Sequence, residues 1–204
     1  GKQKKSIDIM KIALIITTGR TGSDFLQHCL DGVNGLIVFS DKFNYHQFFE
    51  NKSQLKDPKI LIKQFLKKYS NLFSKIDIEN IKINLSTKTF KKNFLYLSNN
   101  KLINRKEFLI LLYKAYHLTC GKKIKDAKTI IHHSHGIQNS VKALEDFPEA
   151  KLLITIRHPI SNLRSGLKNW FKFDKSRITM WHAFFYIYRI RQDLKYLLNK
   201  KNKK

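Results

Sequence analysis

Apolar residues fall into two rhythms along this chain. Four short unbroken runs, at 11–17 (KIALIIT), 35–39 (GLIVF), 128–132 (KTIIH) and 151–156 (KLLITI), are rich in β-branched residues and do not alternate with polar ones. Such runs read as strands buried on both faces, as in a parallel sheet covered by helices. The second rhythm returns every three to four residues and predicts helices at 23–31, 55–73, 106–120, 137–147, 160–171 and 177–198. Pro159 stands where the first turn of a helix tolerates a missing N–H. The last helix is rich in aromatic residues and runs into a KKNKK tail.

Strand, turn and helix in alternation predict an α/β fold, a central parallel sheet flanked by helices with right-handed crossovers. Residues 43–125 carry no strand pattern and read as a helical insertion within a single domain spanning 1–204. Ligands in such sheets bind beyond the carboxyl ends of the strands. Three of those ends bear polar residues: the 17–24 loop, the 132–136 stretch and Arg157.

Composition narrows the picture. A chain of 204 residues, 42% of them hydrophobic, is long enough for one core. The formal charge is +25, yet seven of the forty basic residues are arginines and the lysines are scattered. A nucleic-acid reader would cluster its cations, so no specific nucleic-acid partner is expected. General lysine bias and selection for an anionic partner both remain open. Cys29 and Cys120 have no CxxC spacing, which points to a reducing compartment, the cytoplasm. The 12–16 run is too short to span a membrane, and Asp8 and Lys11 interrupt any signal-peptide pattern. Peripheral membrane association, or an anchor removed from the chain, stays open.

The chemistry gathers in two motifs. The first is TTGRTGSDF, residues 17–25. A glycine-rich turn between a strand and a helix offers backbone N–H groups and the positive end of a helix dipole to an anion. Arg20 adds charge, and Thr21 and Ser23 add hydroxyls. A triphosphate-binding loop needs Gly-Lys-Ser/Thr, whereas Gly22 is followed here by Ser23 and Asp24. The second motif is RHPISNLRS, residues 157–165, with Arg157 at a strand end and Ser165 two helical turns further on. That pair suits a phosphate monoester. Taken singly, each motif also reads as an ordinary turn or cap.

Together, and in this order, the motifs resemble the two nucleotide-binding signatures of sulfotransferases that use 3′-phosphoadenosine 5′-phosphosulfate. HCLDGVNGLIVFSD, residues 28–41, is similar to the stretch that follows the first loop in bacterial members. The resemblance covers 11–41 and 128–171. It implies that Thr18, Gly19, Arg20, Thr21, Gly22, Ser23 and Asp24 grip the 5′-phosphosulfate, with Arg20 also catalytic. It implies that Arg157 and Ser165 grip the 3′-phosphate. Phe25 stands where cytosolic members place a Trp that stacks on adenine, and it reads equally as core. Asp24 stands where many members have Thr or Ser, His158 replaces the commoner Asp or Asn, and the glycine-rich C-terminal signature is absent.

A third stretch, IIHHSHG at 130–136, has three histidines but no local carboxylate or thiol, so a zinc site is not expected. The resemblance, through the family's Lys-Thr-His at the matching strand end, makes His135 the candidate general base, with His133, Glu50 and Glu145 as alternatives. A neutral imidazole suits removal of a hydroxyl proton. The implied partners are this nucleotide, leaving as 3′-phosphoadenosine 5′-phosphate, and a hydroxyl-bearing acceptor, a glycan or small molecule; no metal is implied. The aromatic, lysine-rich residues between 43 and 116 are the expected acceptor wall. Two rivals stay open: a P-loop kinase-like phosphotransferase and a non-enzymatic polyanion-binding module.

Overall fold

The computed structural model describes residues 10–49, 56–76, 82–134, 136–173 and 180–201. Four strands form an all-parallel sheet in the order β2 (Leu36–Val38), β5 (Thr129–His133), β1 (Lys11–Thr17), β6 (Lys151–Thr155). The α/β expectation is met. Lys11 pairs with Thr129 and Ala13 with Lys151, so the carboxyl ends of β1, β5 and β6 lie together. Helices α1 (Ser23–Leu30), α6 (Ile137–Asp146) and α7 (Pro159–Phe173) leave from those three ends, and α8 (Met180–Lys201) follows.

Between β2 and β5 the chain forms α2 (Tyr45–Phe49), α3 (Pro58–Lys68), α4 (Thr87–Ser98) and α5 (Arg105–Thr119). The expected 55–73 helix is shorter. It starts at Pro58, where the Asp57 side chain accepts the Lys59 N–H at 2.7 Å, and gives way to a 3₁₀ turn at Ser70–Phe73. The absence of strands from this segment is corrected by a small antiparallel pair, β3 (Ser74–Ile76) and β4 (Lys82–Asn84).

Alternation along β1 decides which face each residue serves. Ile12 and Leu14 join Ile37, Phe39 and Ile130 under a helical layer dense in aromatic rings. Phe48 stacks on Phe108 at 5.4 Å, and Phe39 meets Tyr113 edge-on at 4.7 Å. Phe43, Tyr45, Phe90, Phe94, Tyr113 and Tyr116 are all buried there. The rings expected to wall an acceptor site therefore build the core, with Tyr96 the exposed exception. Ala13 and Ile15 face the other way, toward Val38, Ile131 and Leu30 of α1.

The fourth strand departs from expectation. β6 is an edge strand, and Leu152 and Ile154 are 44% and 55% exposed rather than covered. At the opposite end of α6, Asp146 ties three helices together. It accepts from Arg105 twice, at 2.7 and 2.8 Å, and from the buried Tyr45 hydroxyl at 2.7 Å. These bonds and the Arg105 charge hold its carboxyl below the usual range, against a burial effect that would raise it.

Candidate functional site

The 17–24 loop has a backbone that few residues adopt. Gly19, Arg20 and Gly22 have φ of 86°, 56° and 89°. A non-glycine residue at positive φ is uncommon and is tolerated where surrounding contacts hold it. Those contacts are present. The buried Asn162 side chain of α7 donates to the Gly19 carbonyl at 3.1 Å. Arg157 Nη1 donates to the Arg20 carbonyl at 3.3 Å, and Arg20 Nε donates to Ser165 Oγ at 3.3 Å. The two motifs, more than 130 residues apart in the chain, are thus bonded to each other.

The hydroxyls divide into two groups. Thr21 Oγ1 bonds to Thr17 Oγ1 at 2.7 Å and to Thr155 Oγ1. Thr17 Oγ1 also accepts the Gly19 N–H at 2.9 Å. Thr21 therefore locks the loop to β1 and β6, and the Gly19 N–H is bonded inside the loop. Ser23 and Ser165, by contrast, line an open cleft of about 440 Å³. The N-cap of α1 is Gly22, and no side chain caps this helix. The helix start thus leaves its first backbone N–H groups without a side-chain cap beside the cleft, an arrangement suited to an anion.

Gly19, Arg20, Gly22, Ser23, Asp24, Arg157 and Ser165 all line this cleft, and so do Lys42, Gly166, Asn169 and Arg189. Thr18 and Phe25 are not among the lining residues; Phe25 is 74% exposed, so it is not core either. Arg189 reaches in from α8, and its Nη2 lies 3.4 Å from where a Cβ on Gly19 would stand. The lining thus has four cations, Arg20, Lys42, Arg157 and Arg189, against the single carboxylate of Asp24. Nothing in the sequence marks Lys42 or Arg189 among so many cations. Asn162 falls inside the RHPISNLRS motif, which was its only signal.

Asp24 explains its own presence. Lys42 Nζ bonds to its carboxylate at 2.7 Å, and His133 Nδ1 lies 3.8 Å away. The acid in the first turn is thus answered by a cation and also favours the helix dipole. His133 is buried. Gln27 Nε2 donates to the Phe39 carbonyl at 2.8 Å, which leaves Gln27 Oε1 to accept from His133 Nδ1 at 2.6 Å. The proton of that imidazole therefore sits on Nδ1 when the ring is neutral.

His132, one residue earlier, faces the core. Tyr113 OH bonds its Nδ1 at 2.9 Å and Ser134 Oγ bonds its Nε2 at 2.8 Å. Burial, and then the charges of His133 and His46, push its pKa down to about 3, so the ring is neutral at ordinary pH. His135, the residue expected to act as base, lies outside the described residues, as does Glu50. Glu145 is exposed near the far end of α6 from the cleft. Among the described residues no three His, Cys, Asp or Glu side chains are grouped to hold a metal ion.

No protein-family model, curated relative or solved structure matches the chain. The fold and the cleft define an α/β protein with a cation-rich cleft at the carboxyl edge of a parallel sheet.

Proposed function

We propose that the chain is a sulfotransferase, moving a sulfuryl group from 3′-phosphoadenosine 5′-phosphosulfate to a hydroxyl of a carbohydrate or other small acceptor. One observation supports this above the rest: Arg20, Ser23, Arg157 and Ser165 face a single cleft, where Arg20 donates to Ser165 and Arg157 to the Arg20 carbonyl. Two cation–hydroxyl pairs suit a nucleotide with anionic groups at two ends, and the excess of cations over carboxylates fits its charge. The donor set therefore fits this nucleotide. When bound, it supplies the sulfuryl group and a phosphate leaving group.

In this reading the start of α1 and Arg20 hold the phosphosulfate end and offset charge growing on the departing phosphate. Arg157 and Ser165 hold the 3′-phosphate. Asn162 and the Thr17–Thr21–Thr155 hydroxyls keep the loop in shape before ligand arrives. Lys42 neutralises Asp24 so that no net negative charge opposes the ligand. His135 takes the acceptor proton.

Thermal unfolding with millimolar 3′-phosphoadenosine 5′-phosphate, ATP and no nucleotide tests the claim. The bisphosphate should raise Tm by several degrees, and Arg20→Ala or Arg157→Ala should weaken its binding about tenfold or more, near 1.4 kcal/mol each. Stronger stabilisation by ATP would favour the kinase-like alternative. Salt-sensitive RNA binding with no nucleotide effect would favour a polyanion-binding module. In a labelled-sulfate transfer assay, His135→Ala should lose turnover while keeping bisphosphate binding.

A further inference from the structure

Helix α8 turns Arg189 toward the cleft and the buried Asp193 toward the protein, and it presents a different face outward. Trp181, Phe184, Phe185 and Tyr188 recur at i, i+3, i+4 and i+7, the spacing of one helical face, and all four are exposed, Trp181 at 67% and Phe185 at 61%. Their rings pack on one another, Trp181 on Phe184 at 6.1 Å and Phe184 on Tyr188 at 6.3 Å. The same face continues at the exposed Arg191 and Lys195. Half of one helical face is thus aromatic and the other half cationic. An uncovered ridge of this kind marks an interaction surface.

We propose that this ridge seats the protein on an anionic lipid surface, with the aromatic side chains in the headgroup region and Arg191 and Lys195 against lipid phosphates. Charge selects the partner. A chain of net +25 is drawn to an anionic surface, whereas two copies of it repel each other. Geometry selects lipid over single-stranded nucleic acid. Trp181 and Phe184 stand at 85° to one another and Phe184 and Phe185 at 71°, while Phe184 and Tyr188 are near parallel at 19°, so the rings form a mixed apolar ridge rather than a continuous stacking platform for bases. Exposed Ile187 flanks them and has no stacking face to offer. Among the described residues no helix is long and apolar enough to cross a membrane, and α8 has the pattern of a helix lying along an interface. Arg189, on the same helix as the ridge, also lines the cleft. The docking itself does not depend on the sulfotransferase reading.

Vesicle sedimentation tests the proposal, with vesicles of phosphatidylcholine alone and of phosphatidylcholine mixed with phosphatidylglycerol. The full chain should sediment with the mixed vesicles, with a blue shift in tryptophan emission that Trp181→Phe removes. Phe184→Ser with Phe185→Ser should lower partitioning about tenfold, and Arg191→Gln with Lys195→Gln should lower it several-fold and flatten its salt dependence. Unaltered circular dichroism melts would show that these exposed substitutions leave the fold intact. Partitioning unchanged by the aromatic pair would overturn the proposal, since diffuse charge alone would then account for binding. So would a concentration-dependent dimer, or single-stranded RNA binding, that the aromatic pair abolishes while vesicle binding persists.

Discussion

Two sites in this molecule use arginine in opposite ways. Arg105 meets Asp146 through two charge-assisted bonds, with the Tyr45 hydroxyl on the same carboxylate. Its charge is cancelled, and the group fastens α2, α5 and α6. Arg20 and Arg157 instead bond to a serine hydroxyl and a backbone carbonyl, both neutral. Among the described residues neither of them has a carboxylate partner. An arginine answered by an acid stabilises a fold. One answered only by neutral acceptors keeps its charge for something that arrives. The sequence marks all three simply as Arg.

The sharpest way to break this contrast is to remove the acid. Asp146→Ala should cost about 2–3 kcal/mol in urea unfolding, because the buried Tyr45 hydroxyl and Arg105 lose their shared acceptor. The value sits below that of a fully buried pair because the Arg105 side chain is 40% exposed. Arg20→Ala should stay within about 0.5 kcal/mol of wild type in the same experiment. Equal losses from the two substitutions would erase the distinction.

Acid should separate core from cleft next. The folded pKa of His132, about 3, lies below its unfolded value of 6.5, so the unfolded chain takes up the proton first. Stability should be level above pH 6.5 and fall as pH drops toward 3, by about 2 kcal/mol between pH 6.5 and 5. Asp146, with its lowered pKa, adds a loss in the same direction at more acid pH. Unfolding midpoints measured across this range in wild type and His132→Gln should show the flatter profile in the variant. An identical slope would mean that other groups govern acid sensitivity.

The smallest effect is expected at Gly19. Its φ of 86° disfavours any side chain, whereas a Cβ would meet Arg189 Nη2 at 3.4 Å, an ordinary contact. Gly19→Ala should cost about 1 kcal/mol in stability and weaken bisphosphate binding several-fold by straining the loop. Isothermal titration checks the second part; unchanged affinity would show that the loop backbone does not serve the ligand.

Much of this architecture is legible along the chain because it rests on local physics. KIALIIT has no polar position between its terminal Lys11 and Thr17, the pattern of an inner strand, and it pairs on both sides, with β5 and with β6. Glycines at 19 and 22 announce a turn that needs positive φ. Other features resist a local reading. The fourth apolar run, KLLITI, looks like the other three yet leaves Leu152 and Ile154 exposed at one edge of the sheet, whereas Ile37 and Val38 of β2 at the other edge are buried. What packs over each strand, not composition, decides that. The aromatic residues of 43–116 looked like a ligand wall and proved to be core, because a Phe or Tyr has the same local signature in either setting.

By itself, then, the sequence determined the α/β class, the glycine turn after β1, and the pairing of two motifs, since periodicity, glycine and residue chemistry are written residue by residue. Folding alone decided which cations share the cleft. Lys42 enters from the loop after β2, 115 residues before Arg157, and Arg189 enters from α8, 24 residues after Ser165.

 Neither position has a local pattern that sets it apart from the other cations of this chain. The direction of the Asp24 carboxylate, the burial of the aromatic rings and the open face of α8 likewise depend on what the rest of the chain brings alongside. The physical reason is common to all of them: a charge or a ring acquires its role from its neighbours in space, and only the packed chain supplies those neighbours.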